Sequence, residues 1–239
     1  PVVSSAASDV YKRQLFRFAH TAVGIVWIGL LYYFNFVQTE YLKEAEPDAK
    51  SDVLKKLAPN ALWWFRWAAF LTFLTGLYLL YILQTGASSI IILGALMGTI
   101  MMLNVWGIIW RNQKIVIGLK EGDVALAGAR AGLASRTNTL FSLPMLYFMV
   151  FSAHMPIGTE HYPTFMQGYS GLGFLIVLAS ILLIEANAIF GKMYPVIASV
   201  RAVITSSIAL TIIFSGLVYY LVSVSYTQLR AHETCHNLV

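Results

Sequence analysis

The stretch SSIIILGALMGTIMMLNVWGIIW, residues 88–110, decides the fold. No charged residue interrupts it, and a helix of about 20 apolar residues is what crosses the hydrocarbon of a bilayer. Within it Gly94 and Gly98, four residues apart, predict close packing against another helix. Five more stretches of this kind predict six spanning helices in all, approximately Leu15–Val37, Ala61–Leu83, Ser88–Trp110, Asn138–His154, Tyr169–Phe190 and Ala202–Val222. We therefore predict an all-α, polytopic membrane helix bundle.

The amino-acid composition indicates that part of the surface of this protein is in contact with lipid. Hydrophobic residues make up 58% and charged residues 11% of the sequence, whereas about a quarter of a soluble domain is charged. The net charge is +5, but the basic residues cluster beside apolar stretches. That pattern indicates membrane topology and argues against a nucleic-acid partner. The single cysteine, Cys235, excludes an intramolecular disulfide and a cysteine metal cage.

The distribution of Lys and Arg predicts the orientation of the helices. The first, third and fifth loops with their helix ends hold Lys43, Lys50, Lys55, Lys56, Arg66, Arg111, Lys114, Lys120, Arg130, Arg136, Lys192 and Arg201. The opposite side holds only Lys12, Arg13, Arg17 and Arg230. Because cytoplasmic loops are enriched in basic residues, we expect the first group to lie in the cytoplasm and both termini outside it.

The two ends of the chain differ in character from the membrane domain, which we place at residues 15–222. Residues 1–14 (PVVSSAASDVYKRQ) and 223–239 (SVSYTQLRAHETCHNLV) are polar and do not continue the neighbouring pattern. Both resemble terminal strings that recur in translated assemblies beside unrelated reading frames. We expect them to be non-native extensions and assign no function to His232, Cys235 or His236.

Capping and turn residues predict details between the apolar stretches. Asp123 is a suitable N-cap for a helix that runs through Val124–Ala134 into the fourth span. In the first loop an apolar trio predicts a short helix on the membrane surface: Val53, Leu54 and Leu57. Pro59 and Asn60 would end that helix and cap the second span.

Two histidines are predicted to share a depth near the outer face. His20 lies about two turns into the first span, and His154 ends the fourth. Neutral imidazoles from two facing helices are the usual ligands of a b-type haem in a bundle. We therefore name His20 and His154 as candidate ligands of haem iron. The alternative for His154 is a histidine that faces headgroups and water at a helix exit.

A second polar group is predicted toward the cytoplasmic side. It comprises Asn35, Arg66, Asn104, Arg111, Asn112, Asn138, Glu185 and Asn187. Glu185 is the only acid within a span, so it should pair with a base such as Arg66 or Arg111, or be protonated. Amides and an arginine around a small cavity suit a planar, polar, anionic heterocycle.

Roles within this group follow from its chemistry. We name Asn104 and Glu185 as candidate catalytic residues that orient the substrate or move protons. The candidate substrate-binding residues are Asn35, Arg111, Asn138 and Asn187. The alternative is a network of interhelical hydrogen bonds, with arginines reaching to the membrane interface. No Walker motif, zinc motif or catalytic triad occurs in the sequence.

Three stretches of the sequence carry a resemblance to a known family: His20-x-x-x-Gly24-Ile25-x-Trp27-Ile28-Gly29, Asn104-Val105-Trp106-Gly107 with Trp110-Arg111-Asn112-Gln113, and Asn138 through Met155. With them the sequence resembles the membrane domain of the cytochrome-linked bacterial urate oxidases, also called urate hydroxylases. The likeness covers most of Leu15–Val222. Two departures are evident: the family's C-terminal c-type cytochrome domain is missing, and this chain has fewer helices. Truncation explains the first, and a shorter family branch explains both.

The resemblance implies oxidation of urate, with electrons passed to a c-type cytochrome instead of directly to oxygen. Any c-type haem would reside on the missing domain or on a partner protein. A C-terminus outside the cytoplasm agrees, since c-type cytochromes are assembled there, and the bacterial inner membrane is the implied location. Two alternatives stay open: a transporter of a small polar or anionic solute, and a non-catalytic membrane anchor for a cytochrome.

Overall fold

The structure, a computed structural model, describes residues 2–83, 87–154 and 172–236, with side chains described for residues 7–83, 87–154 and 172–219. These ranges are predominantly helical and contain no strand. The helices are α1 Val2–Tyr32, α2 Thr39–Glu44, α3 Pro47–Asp52, α4 Ala58–Leu83, α5 Ser89–Asn104, α6 Trp110–Val116, α7 Val124–Phe151, α8 Leu172–Phe190, α9 Pro195–Ala198 and α10 Val200–His236.

Three π-helical turns fuse pairs of these helices into longer rods. Tyr33–Gln38 joins α1 to α2, Val53–Leu57 joins α3 to α4, and Val105–Ile109 joins α5 to α6. Within the described ranges, five rods are long and apolar enough to cross a membrane: Ala7–Glu44, Pro47–Leu83, Ser89–Val116, Leu172–Phe190 and Val200–Tyr219. The prediction of an all-α polytopic membrane bundle is thus confirmed. The predicted start of the fifth span, Tyr169, lies outside the described residues.

Helix α7 corresponds to the fourth predicted span and is the central helix of the bundle. Its 28 residues extend about 42 Å, which is enough to cross the hydrocarbon. It contacts α1, α5, α6, α8 and α10. Its middle is polar and buried, with Arg136, Thr137, Asn138, Thr139 and Ser142 all covered by other helices. Polar residues are tolerated at membrane depth when they face the bundle interior, and these residues of α7 do so.

The outer helices pack on this centre in a defined order. α1 packs along α4. Helices α5 and α10 both pack along α7, and α8 packs on α10. The largest fully buried side chains of the resulting core are Trp27, Phe65, Phe141, Phe148 and Phe214. Two clusters of buried apolar side chains, one containing Phe141 and the other Leu140, flank the polar middle of α7.

The predicted N-cap at Asp123 is confirmed, and the structure adds a second cap at Ser88. Asp123 Oδ1 accepts a hydrogen bond from the backbone N–H of Leu126 at 3.0 Å, and Ser88 Oγ accepts one from Ile91 at 3.3 Å. Each satisfies an N–H that would otherwise lack a partner in the first helical turn.

The predicted glycine contact is confirmed at one of its two positions. A Cβ built on Gly94 would lie 3.1 Å from Phe148 Cβ, so α5 and α7 touch there. At Gly98 the nearest atoms, in Met145 and Met149, are 3.9 Å away. The close approach therefore depends on Gly94.

The predicted separate surface helix in the first loop is wrong. α3 continues through the π turn Val53–Leu57 into α4, and Pro59 is the second residue of α4. A proline lacks the N–H and clashes with the carbonyl four residues earlier in a regular α-helix. The wider turn just before Pro59 alters the bonding at this point and lets the rod continue. Asn60 does not cap it, because its side-chain amide donates back to Lys56 O at 3.3 Å.

Candidate functional site

Three polar side chains from three helices meet inside the bundle. Asn104 Nδ2 donates to Asn138 Oδ1 and to Glu185 Oε2, each at 3.0 Å. Asn138 Nδ2 in turn donates to Met101 O at 2.9 Å. Asn104 and Asn138 are 2% and 0% exposed. We call Asn104, Asn138 and Glu185 the amide–carboxylate cluster; it joins α5, α7 and α8.

A break in regular helical bonding lies beside this cluster. Asn104 is the last residue of α5, and the π turn Val105–Ile109 begins immediately after it. Such turns insert one extra residue into a helix and occur often at functional sites. Here the turn begins directly after the residue that bonds to α7 and α8.

Glu185 does not pair with either of the arginines considered from the sequence. Its hydrogen bond is with Asn104. Arg66 instead stacks on the Trp110 ring, with the guanidinium carbon 3.8 Å from the ring centroid. Arg111 is exposed on α6. Among the described residues, no basic side chain forms a salt bridge with Glu185, and its half-buried carboxyl group accepts its hydrogen bond from the amide of Asn104.

Asn35 lies on a second side of α7, within the π turn after α1. Its Nδ2 donates to Leu31 O at 2.9 Å and to Ser135 Oγ at 2.8 Å. Ser135 and Asn138 are three residues apart and therefore neighbours on the surface of α7. Asn35 thus adjoins the amide–carboxylate cluster through α7, without a direct bond to it in the described part of the chain.

Two other predicted substrate-binding residues lie elsewhere. Asn187 exchanges hydrogen bonds with Lys192 at the end of α8, from Asn187 Nδ2 to Lys192 O and from Lys192 N to Asn187 Oδ1, both 3.3 Å. Arg111 faces outward from the bundle. The structure therefore brings together Asn104, Asn138 and Glu185, with Asn35 adjoining, but does not bring Arg111 or Asn187 to them.

The two predicted haem ligands each use one ring nitrogen within the protein. His20 Nδ1 lies 3.0 Å from Thr75 Oγ1 on α4, and its Cε1 would be 3.1 Å from a Cβ at Gly76. His154 Nδ1 lies 3.0 Å from Val150 O at the exposed end of α7. The α4 side of the His20 ring is thus occupied by protein, so Nε2 is the atom through which an iron would be bound.

Contacts farther along α1 and α7 support a common depth for the two histidines. Tyr32 Oη lies 2.9 Å from Ser142 Oγ, and Asn35 bonds to Ser135. The two helices are therefore antiparallel. Continuing this register toward the outer face brings His20 level with the end of α7, where His154 lies. No hydrogen bond between the two histidines is present in the described residues.

Sequence reasoning missed Arg136 and Gln38. Arg136 was counted only as a cytoplasmic charge, yet it is 5% exposed, and its Nη1 is buried with no hydrogen-bond partner. Gln38 Oε1, in the π turn that follows α1, is likewise buried without a partner. The available signal was the position of Arg136 in its helix. It lies several turns after the N-cap Asp123, so it belongs to the middle of the helix and not to its cytoplasmic end.

Comparison with known proteins places these features in one family. The model of a family described as "Urate oxidase N-terminal" matches residues 83–213, more than half of the chain. The matched region contains Asn104, Arg136, Asn138 and Glu185. No curated protein and no solved structure matches the chain. The sequence resemblance and the family match agree, and the chain belongs to the urate oxidase N-terminal family.

Proposed function

We propose that this chain is the membrane domain of an oxidoreductase that oxidises urate and passes the electrons to a c-type cytochrome. The observation that carries the proposal is the buried amide–carboxylate cluster, which lies within the family-matched region. A catalytic site needs groups held in fixed directions before the substrate arrives. Asn104 and Asn138 meet that requirement because each is fixed by hydrogen bonds between helices.

Urate fits the chemistry of this cluster. It is a planar anion whose edge alternates N–H donors with carbonyl acceptors. Both hydrogens of Asn104 Nδ2 are engaged within the cluster, so Asn104 offers its carbonyl oxygen as an acceptor. Asn138 Nδ2 uses one hydrogen on Met101 O and offers the other as a donor. Together they match two neighbouring positions on such an edge. Discrimination against analogues that lack one of these groups would then be strong, because a buried polar group would be left unpaired.

The reaction balances with water and an external electron acceptor. Urate gives up two electrons and two protons, and a water oxygen forms the new C–O bond of the hydroxylated product. Glu185 is the proposed base that accepts one of these protons, in the role of a positioned carboxylate. The electrons leave in one-electron steps to oxidised c-type cytochrome. No amino-acid side chain in the cluster performs that chemistry alone.

His20 and His154 are the proposed ligands of a b-type haem that would supply one-electron transfer toward the outer face. Each has its Nδ1 engaged within the protein, which leaves Nε2 for iron. We further propose that the domain lies in a bacterial inner membrane with both termini on the periplasmic side. That orientation puts the histidines on the side of a periplasmic cytochrome and the cluster nearer the cytoplasm.

The proposal is tested by turnover of the purified chain in lipid discs. Urate and ferricyanide, a one-electron acceptor, are added, and loss of the ultraviolet absorbance of urate is followed together with reduction of ferricyanide. We expect two ferricyanide ions to be reduced per urate consumed. Accumulation of unchanged urate inside proteoliposomes, without any reduction of the acceptor, would instead show a transporter. If the protein neither oxidises urate nor transports it, the membrane-anchor alternative is favoured.

A further inference from the structure

We propose that Arg136 and Gln38 form a second binding site, for the anionic lactam edge of a purine, on the side of α7 that faces the end of α1. A lactam edge is an N–H next to a carbonyl or anionic oxygen. The proposal rests on the proposed function in taking urate as the ligand. The site is distinct from the amide–carboxylate cluster.

The first observation is a buried cation without a hydrogen-bond partner at one of its donors. Arg136 is 5% exposed, and Nη1 is buried and unbonded. A guanidinium remains charged in proteins, and a buried charge is costly unless it is paired. A donor aimed into the interior with no acceptor is the feature expected of a site that an anion completes.

The second observation is an unbonded acceptor on the facing helix. Gln38 Oε1 is buried without a partner, in the π turn that contacts α7. Asn35, one turn earlier, bonds to Ser135, the neighbour of Arg136. Because side chains on a helix lean toward its N-terminus, the Arg136 side chain extends toward the level of Gln38.

The local charge favours an anion. Glu40, two residues beyond Gln38, acts electrostatically on Arg136, but its carboxylate bonds to Lys43 at 2.8 Å. Two cations therefore share one carboxylate, and positive charge remains in excess. An anionic ligand would neutralise the excess positive charge at the buried Arg136 guanidinium.

The pair of unbonded atoms defines the chemistry of the ligand. Arg136 Nη1 needs an acceptor and Gln38 Oε1 needs a donor. A halide or a phosphodiester satisfies only the arginine. The lactam edge of a purine anion presents an acceptor beside an N–H, so it satisfies both.

This site and the amide–carboxylate cluster lie on different faces of α7. Successive residues of an α-helix are separated by about 100°, so Arg136 and Asn138 leave α7 in nearly opposite directions. Asn138 bonds to Asn104, whereas Arg136 lies within electrostatic range of Glu40 on α2. A purine at Arg136 is therefore held away from the proposed reacting groups, on the predicted cytoplasmic side of the bundle.

The test is equilibrium binding of radiolabelled urate to the full chain in lipid discs, with nicotinate, a planar anion without an N–H, as competitor. Arg136→Gln is expected to weaken binding of urate at one class of sites about tenfold to a hundredfold, the range for loss of a hydrogen bond to a charged group. Gln38→Leu should weaken urate and leave nicotinate unchanged. Arg130→Gln changes an exposed arginine of the same charge on the same helix; it is the control and should bind urate as the wild type does.

Thermal unfolding of the ligand-free protein separates this role from a structural one. A buried charge kept only for a ligand costs stability, so Arg136→Gln should unfold at the wild-type temperature or above it. Urate binding by Arg136→Gln equal to that of the wild type overturns the inference and leaves the proposed function standing. A sharply lowered unfolding temperature in Arg136→Gln overturns it as well, since the arginine is then structural. Absence of urate binding by the wild type overturns the proposed function and this site together.

Discussion

Asn104 Nδ2 lies 3.0 Å from Glu185 Oε2, although the two residues are 81 positions apart in the chain. The same nitrogen lies 3.0 Å from Asn138 Oδ1. An amide nitrogen carries two hydrogens, so these two bonds use all of its donors. One atom of α5 thus fastens α7 and α8, and the geometry of the cluster depends on Asn104.

Asn104→Ala should destabilise the fold and stop urate oxidation. It leaves the buried Asn138 carbonyl and the Glu185 carboxyl group without their donor, at a cost of about 1–3 kcal/mol in the free energy of unfolding. The matched control is Asn112→Ala, because Asn112 donates only to Ile108 O in its own stretch of helix. Unfolding is followed by tryptophan fluorescence in detergent. Equal effects of the two substitutions would contradict the account.

Glu185→Gln should remove proton transfer by this side chain while keeping the stability of the fold. The amide keeps an oxygen that accepts from Asn104 Nδ2, so the unfolding temperature should stay near that of the wild type. It cannot act as a base, and we expect the rate of urate oxidation to fall about a hundredfold or more. The rate is measured by urate absorbance in lipid discs. A variant that retains the wild-type rate would remove Glu185 from the proposed chemistry.

Gly94→Ala and Gly98→Ala form a matched pair that tests the α5–α7 contact. The first places a methyl group 3.1 Å from Phe148 Cβ and 3.5 Å from Met145 O. Overpacking of this kind costs about 1–3 kcal/mol. The second meets nothing closer than 3.9 Å, so stability should be unchanged or slightly higher, as alanine favours helix. Unfolding temperatures decide the matter: a larger loss at Gly98 would contradict the packing described.

How much of this was predictable from sequence depends on whether the signal is local. The apolar stretches, the cap at Asp123 and the approach at Gly94 are encoded by nearby residues, and each was predicted correctly. Asn104, Asn138 and Glu185 were predicted as one polar group because a membrane interior makes every such residue conspicuous.

The parts that sequence could not give depend on tertiary contacts. In the sequence Pro59 predicts a helix end, and the adjacent π turn is what lets α4 include it. Arg136 is the same residue type as the exposed Arg111, and only its burial by neighbouring helices reveals the unbonded Nη1. The local bonding of Asn187 to Lys192 likewise depends on how the chain turns after α8.

His20→Ala should abolish the absorption band of any b-type haem bound by the purified protein. Imidazole Nε2 of His20 is the proposed ligand, and alanine offers no replacement. Thr75→Val removes the partner of His20 Nδ1 while keeping the shape, so the band should persist at a shifted position. Reduced-minus-oxidised spectra give the comparison. A band unchanged in His20→Ala would exclude His20 as a ligand.

The most direct test of the central claim is anaerobic reduction of a soluble c-type cytochrome by urate, catalysed by the purified chain in lipid discs. The cytochrome spectrum and the remaining urate are followed together. We predict two cytochromes reduced per urate oxidised, with no requirement for oxygen and almost no rate in Glu185→Gln. Urate consumption that requires oxygen and leaves the cytochrome oxidised would contradict transfer of electrons to a cytochrome, and no consumption under either condition would contradict the oxidoreductase assignment itself.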